Sequence, residues 1–274
     1  MSAAVSIGDS EAARLTPHPL RTTVLGEVHA RPVTAIAAPA RILHFAFDTA
    51  GERAAADRAQ LAAFCTARGL PTPKPVEKQL RVALGATILR WEQHSEFTTY
   101  TWEMPSEADT PAFHPTAASL ASPMRQVSQP GPLLVAIDLH LLPDKTARIP
   151  PEQLFDRASL AAAETGDGLA TYATDFQLDA GGFVRILVTD RGMSAERAGT
   201  LIQYIIDIET YRSFALLGLP EAQRLAPSIV RAEKRLAEVT ETMRGARDLS
   251  DNHHLLDELM ALAAEVEAGG AASS

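Results

Sequence analysis

The fold of this chain is decided by residues 183–220, which read FVRILVTDRGMSAERAGTLIQYIIDIETYRSFALLGLP. Residues 183–189 are apolar and mostly β-branched, which predicts a buried strand. Residues 190–192 break that strand, and Ser194 is a suitable N-cap for the helix that follows. Residues 218–220 are typical of a helix end, because they combine glycine and proline. The stretch predicts a strand, a tight turn and a long helix.

The winding of this helix places two opposite charges among apolar residues. At about 100° per residue, Gln203, Asp207 and Thr210 fall opposite one broad apolar arc. Glu209 and Arg212 fall inside the arc, three residues apart, so their side chains can meet. We interpret them as a structural ion pair that ties the helix to the sheet, since an unpaired buried charge is costly. The floor of a polar pocket or a subunit contact is the alternative. The arc consists of Leu201, Ile202, Ile205, Ile206, Ile208, Ala215, Leu216 and Leu217.

Several shorter segments around this stretch have strand patterns. They predict strands at 42–47, 133–142, near 160–163 and at 169–176, and a β-meander over 79–104 that turns most sharply near 93–95. A helix is predicted from about 52 to 68, and a hairpin at 179–182 leads into the central strand. Strands joined mainly by short turns predict an α+β domain with a mostly antiparallel sheet and one long packed helix.

The composition changes after residue 220. Apolar residues then recur at spacings of four and three, which is a coiled-coil seam, at Leu225, Ile229, Ala232, Leu236, Val239 and Met243, and again at Leu255, Leu259, Leu262 and Val266. We expect a carboxyl-terminal helical hairpin or coiled-coil stalk that pairs with its sister helix or another subunit through 225–266. The expected organisation is a disordered tail at 1–16, the α+β domain at 17–220, the stalk at 221–268 and a flexible end at 269–274.

Charge and cysteine content exclude several classes of protein. The formal net charge of -9 argues against nucleic-acid binding, which needs a basic face. A single cysteine, Cys65, excludes an internal disulfide. No secretory signal and no apolar run long enough to span a bilayer occur in the sequence.

Two triplets of alternating ionisable residues are candidate sites. Glu27, His29 and Arg31 would point to one side of an extended chain and form an acid/base or anion-binding group. A surface salt-bridge cluster is the alternative for that triplet. The second triplet consists of Glu92, His94 and Glu96. Its side chains could bind a divalent metal together; the alternative is that the predicted turn holds them apart.

A further candidate lies at the start of the long helix. Asp190 and Arg191 precede a helix N-terminus, whose free N–H groups favour anions. The alternative is that Asp190 simply caps the turn. None of the common phosphate-binding, nucleophile or metalloprotease motifs occurs, and the sequence identifies no cofactor.

Three separated motifs resemble one bacterial family of uncharacterised, predicted membrane-anchored proteins with a domain of unknown function (catalogue number 3422). They are GEVHARP at 26–32, WEQHSEF at 91–97, and IETYR at 208–212 followed by LGLP at 217–220. The resemblance implies a soluble amino-terminal domain, long helices and a hydrophobic carboxyl-terminal anchor. No such anchor lies within these 274 residues. The resemblance therefore implies that this chain is cytoplasmic. Where the full protein has the anchor, it implies that the chain lies at the cytoplasmic face of the inner membrane.

Three hypotheses about function remain from the sequence. The first is a non-enzymatic regulatory or assembly domain. The second is a hydrolase or transferase whose acid/base site draws on the two triplets, with Glu27, His29, Arg31 and His94 as its catalytic candidates. The third is a divalent-cation sensor, because the layout loosely resembles that of CorA-type magnesium channels.

Overall fold

The computed structural model describes residues 19, 34–107, 110–117, 123–146, 149–245 and 249–271, and eight strands within them form one sheet. The strands are β1 (Ala40–Asp48), β2 (Gln79–Leu84), β3 (Thr87–Gln93), β4 (Phe97–Pro105), β5 (Leu133–Pro143), β6 (Ala161–Glu164), β7 (Ala170–Leu178) and β8 (Val184–Asp190). The helices are α1 (Arg53–Thr66), α2 (Pro151–Leu154), α3 (Ala195–Ala215), α4 (Leu219–Gly245) and α5 (Leu249–Ala271).

The sheet is antiparallel at all but one pairing. Its strand order is β2-β3-β4-β1-β5-β8-β7-β6, and β5 with β8 is the parallel pair. The β6–β7 hairpin lies outside β8, so β8 pairs with β7 on one side and with β5 on the other. The predicted α+β fold with a mostly antiparallel sheet is confirmed.

The stretch that decides the fold forms a hairpin, a central strand and a helix. Asp179 organises the turn into β8, because its Oδ1 accepts the backbone N–H groups of Gly181 (2.8 Å) and Phe183 (2.9 Å). Gly182 has φ +82°, a conformation that suits glycine. After β8, Ser194 Oγ accepts the N–H of Arg197 at 3.3 Å, as expected of an N-cap. The predicted hairpin, strand and helix start are confirmed.

One face of the sheet carries the main apolar core. Alternate residues of the central strands point to this face, where Leu61, Phe64 and Cys65 of α1 pack against them. Trp91, Tyr100 and Trp102 on this face are fully buried. We call it the α1 face, and the opposite surface the second face.

A single carboxylate ties α1 to this core. Asp57 accepts hydrogen bonds from Trp91 Nε1 (2.8 Å) and Tyr100 Oη (2.5 Å). Burial raises the pKa of Asp57, although the hydrogen bonds from Tyr100, Trp91 and Thr98 oppose this shift. The same burial, together with the Asp57 charge, raises the pKa of Tyr100.

We expect Asp57→Ala to lower the free energy of unfolding by about 2–3 kcal/mol, because two buried donors would lose their acceptor. The loss of free energy is limited because the substitution also removes the Asp57 carboxylate, whose charge burial disfavours. Urea unfolding measures it, with Asp57→Asn as the control that keeps one acceptor and should lose less. A loss below about 1 kcal/mol for Asp57→Ala would contradict this role.

Helix α3 begins against an extended segment near the amino terminus. Ile36 donates its N–H to the Ala195 carbonyl at 2.9 Å. A Cβ on Gly199 would lie 1.8 Å from the Thr34 carbonyl oxygen, so only glycine permits this approach. The first half of α3 buries Ala198, Ile202 and Ile206.

Where the sequence predicts the end of the long helix, the structure has a short 3₁₀ turn between two α-helices. Helix α3 stops at Ala215, a 3₁₀ turn covers Leu216–Gly218, and α4 begins at Leu219. Pro220 therefore lies in the first turn of α4, where its missing N–H has no helical partner to lose. The prediction that Gly218 and Pro220 end the helix was right about the interruption and wrong about Pro220, which starts a helix.

The chain divides into two compact units, residues 1–207 and 208–274. In the second unit, α4 and α5 pack against each other. No helix among the described residues is long and apolar enough to cross a membrane.

Candidate functional site

A row of polar side chains crosses four strands on the second face of the sheet. The strand registers place Arg81 of β2 opposite Arg90 of β3, Arg90 opposite Thr101 of β4, and Thr101 opposite His44 of β1. All of these side chains except Arg81 are buried. We call Arg81, Arg90, Thr101 and His44 the polar row. It is a candidate site because sheet interiors seldom contain aligned charged groups.

Carboxylates on either side balance the two arginines of the polar row. Glu103 Oε2 accepts a hydrogen bond from Arg81 Nη2 at 3.1 Å, and its Oε1 lies 3.4 Å from Thr34 Oγ1. Glu92 Oε2 lies 3.7 Å from Arg90 Nε. Directly opposed like charges destabilise a sheet, so these carboxylates make the arrangement tolerable.

His44 is a neutral imidazole at the centre of the sheet. Its Nδ1 lies 2.8 Å from Thr101 Oγ1. Burial, followed by the charge of Arg90, lowers the pKa of His44 to about 3. The polar row therefore contains a histidine that does not gain a proton at neutral pH.

The triplet at the β3–β4 turn is divided between different environments. Glu92 is buried on the second face, and His94 is buried with its ring stacked on Phe97 at 3.8 Å between centroids. Glu96 lies at the exposed side of the turn, where Ser95 Oγ donates to its Oε2 at 2.6 Å. Among the described residues, no three His, Cys, Asp or Glu side chains lie close enough together to hold a metal ion.

Glu27, His29 and Arg31 lie outside the described residues. Their convergence with Glu92 or His94 therefore stays a prediction, as does the acid/base site built from both triplets.

Asp190 and Arg191 have structural partners. Asp190 Oδ1 accepts the N–H groups of Gly192 (2.8 Å) and Met193 (2.7 Å), so it caps the turn before α3. Arg191 Nη1 lies 3.3 Å from Glu164 Oε2, and Arg191 Nε lies 3.7 Å from Asp144 Oδ1. These contacts favour the structural alternative at this helix start.

Glu209 and Arg212 form the expected pair, with unequal burial. Arg212 donates from Nη2 to Glu209 Oε1 (2.6 Å) and from Nε to Oε2 (3.1 Å). The Glu209 side chain is 7% exposed, whereas that of Arg212 is 44% exposed. The expected pairing is present, and only the acidic partner is enclosed.

The predicted arc of α3 was too broad. Gln203 and Thr210, expected on the outer side, are buried, while Ile208 is 67% exposed. A narrow stripe at spacings of three and four residues is buried, and isoleucines spread around the helix obscure it in the sequence.

A second buried polar cluster was missed by sequence reasoning. On the α1 face, Arg41 of β1 donates two hydrogen bonds to Asp138 of β5, from Nε at 2.8 Å and from Nη2 at 2.7 Å. His140 Nε2 lies 3.5 Å from Asp138 Oδ1. Burial disfavours the charged carboxylate, but contact with His140 and the hydrogen bonds from Arg41 outweigh this, so the pKa of Asp138 is lowered. The available signal was the pair of polar residues, two apart, within an otherwise apolar strand.

This cluster positions a loop. Arg41 Nη1 donates to the Pro115 carbonyl at 2.7 Å, and the Phe113 N–H points to His140 Nε2 at 3.3 Å. Burial lowers the pKa of His140, although its contact with Asp138 opposes this shift. Phe113 has φ +63°, which is unusual for a bulky side chain. The buried cluster holds this strained loop in place.

The fold and its sites define an α+β protein with buried polar clusters on both faces of one sheet, and with a second unit made of helices. The chain belongs to a family described as a protein of unknown function (DUF3422), whose model matches residues 16–274. Comparisons with curated proteins and with solved structures found no match. The family resemblance of the three motifs is thereby confirmed.

Proposed function

We propose that this chain is an assembly module that pairs with a second copy of itself through α4 and α5. One observation supports the proposal above the others: the apolar seam of α4 is only half covered by the residues that the structure describes. Val239 is 5% exposed, and Leu225 and Ala232 are half-buried. We call these three residues the inner stripe.

The other half of the seam remains in solvent. Ile229 is 54% exposed, Leu236 is 47% exposed and Met243 is 51% exposed. These three residues, which we call the outer stripe, recur every seven positions, as the inner stripe does. In a coiled coil both apolar positions of the heptad are covered by neighbouring helices, whereas here the inner stripe is covered and the outer stripe is not. The outer stripe therefore needs another helix.

Helix α5 shows the same division. Leu255 and Leu262, seven residues apart, are buried, whereas Leu256 is 54% exposed and Met260 is 64% exposed. Two helices that each present a second apolar surface are suited to a four-helix bundle made from two copies.

Charge favours a second copy as the partner. Helix α4 contains five basic residues, Arg224, Arg231, Lys234, Arg235 and Arg244, and four acidic ones, Glu221, Glu233, Glu238 and Glu241. Helix α5 contains only acidic charges, at Asp251, Asp257, Glu258, Glu265 and Glu267. Contact of α4 from one copy with α5 of the other would bring the acidic side chains of α5 near the basic ones of α4, whose net charge is +1. The buried thiol of Cys65 is in keeping with the cytoplasm, where we place this module.

Sedimentation equilibrium tests the proposal directly. We expect the wild-type chain to form dimers and the double variant Leu236→Glu/Met243→Glu to be monomeric, because two carboxylates would enter an apolar contact. The matched control Gln223→Glu/Thr242→Glu adds the same charge at exposed α4 positions outside the outer stripe. It should dimerise as the wild type does. Circular dichroism verifies that all three chains are folded.

A wild-type chain that stays monomeric over the whole concentration range would overturn the proposal. Equal dimerisation by the outer-stripe variant would overturn the assigned surface.

A further inference from the structure

A cavity on the α1 face of the first unit contains an arginine whose hydrogen-bonding capacity is largely unused. The cavity has a volume of about 450 Å³ and is lined in part by Phe113, His114, Gln153, Asp179 and Arg185. This volume is within the range of small-molecule sites. We infer that the cavity binds a small organic carboxylate, with the Arg185 guanidinium as its anchor.

Arg185 is held by aromatic rings rather than by a strong ion pair. Its Cζ lies 5.3 Å from the centre of the Phe113 ring and 5.4 Å from that of Phe155. Those two rings pack edge to face, with centroids 5.8 Å apart. Contact with two rings fixes the guanidinium without using its N–H groups.

The nearest carboxylate leaves most of those N–H groups available. Arg185 Nη2 lies 3.7 Å from Asp175 Oδ2, which is longer than a hydrogen bond. Asp175 already accepts the backbone N–H groups of Asp156 and Gln177. Arg185 Nε is buried and makes no hydrogen bond within the part of the chain that the structure describes. A guanidinium has five N–H donors and matches a carboxylate with two parallel hydrogen bonds.

The wall beside Arg185 is preorganised. Phe113 and Pro115 are fixed by the buried cluster beneath them, through His140 and Arg41 respectively. His114 lies between these anchored residues and lines the cavity. A wall that is rigid before binding lowers the entropic cost of association.

Asp179 narrows the class of ligand. Asp179 lines the same cavity, and its negative charge opposes a doubly charged anion such as phosphate more than a singly charged one. A monocarboxylate carries one negative charge for Arg185, and a hydroxyl or amino group beside it could donate to Asp179. The arrangement favours a hydroxy- or amino-carboxylate over a phosphate.

Thermal unfolding and calorimetric titration of the full chain test this site with lactate, alanine and benzoate. Sodium chloride and sodium phosphate at equal ionic strength are the comparison solutes. We expect at least one carboxylate to give saturable binding heat in the calorimetric titration and to raise the melting temperature above the chloride reference. Phosphate should give no binding heat; because phosphate stabilises proteins non-specifically, calorimetry and not its melting temperature decides this comparison. Arg185→Gln should weaken carboxylate binding at least tenfold.

Gln153→Glu tests the cavity without altering Arg185. Gln153 is exposed at the rim, so this nearly isosteric change should leave folding intact and repel the anion, again at least tenfold. The control Gln177→Glu makes the same change at an exposed residue that does not line the cavity and should bind as the wild type does. The inference is overturned if none of the carboxylates binds, if phosphate binds as well as they do, or if Gln153→Glu and Arg185→Gln bind unchanged.

Discussion

Replacement of Asp138 by alanine should lower the free energy of unfolding by about 3–5 kcal/mol, because a buried arginine would lose its partner. Asp138 is fully buried and Arg41 is only 5% exposed. The two hydrogen bonds between them leave the guanidinium little access to water. Without the carboxylate, Arg41 must remain charged in an apolar core or disrupt the β1–β5 pairing to reach solvent.

Urea unfolding measures this loss, and an exposed pair of the same residue types provides the control. Arg191 and Asp144 lie 3.7 Å apart, with side chains 39% and 57% exposed. Asp144→Ala should therefore cost less than about 1 kcal/mol. Similar losses of unfolding free energy for Asp138→Ala and Asp144→Ala would show that the buried Arg41–Asp138 pair contributes no more to stability than an exposed pair does.

A double variant separates the cost of an unpaired charge from the value of the pair. Arg41→Met/Asp138→Leu removes both charges, and apolar replacements of buried ion pairs are often well tolerated. We expect this variant to be more stable than Asp138→Ala. The opposite order would mean that the pair stabilises the fold through its link to the Pro115 carbonyl.

Local patterns were sufficient to predict the elements of the sheet. The predicted strand at 133–142 is β5 (Leu133–Pro143). A short apolar run between two prolines is typical of a buried strand, because a helix usually needs a longer run. The hairpin at 179–182 was equally clear, because aspartate and glycine have specific roles in turns. These features depend on neighbours in sequence and on little else.

The polar clusters could not be predicted in the same way. His44 and Thr101 meet only because β1 pairs with β4 in one register, and a shift of one residue would separate them. Arg41 and Asp138 are far apart in the chain and belong to strands whose pairing the sequence does not state. Polar alternation along the chain, as at Glu92 and His94, was visible in the sequence, but the residues that these side chains contact were not.

Helix α3 shows a further reason for error. A helix rich in isoleucine has apolar residues on several sides, so the apolar arc does not identify the buried stripe. The winding placed Glu209 correctly on the buried side, while it misplaced Gln203 and Thr210 on the outer side. Which side becomes buried is decided by the rest of the fold.

Acid should destabilise the protein through His44, and His44→Asn should remove that part of the pH dependence. Between its ordinary pKa of 6.5 and the folded value of about 3, the unfolded chain binds a proton that the folded chain excludes. The free energy of unfolding therefore falls as pH is lowered through this interval, by about 1.4 kcal/mol per pH unit and about 5 kcal/mol in all.

Asparagine can keep the polar contact with Thr101 and cannot be protonated, so its unfolding free energy should decline less steeply from pH about 7 to about 4.5. Urea unfolding at several pH values measures the difference between variant and wild type. Titration of the carboxylates and of His140 is common to both chains, so it cancels in this difference. The exposed His254 provides the control, as His254→Asn. Parallel curves for wild type and His44→Asn would mean that His44 gains its proton in the folded protein, and that the polar row is open to water.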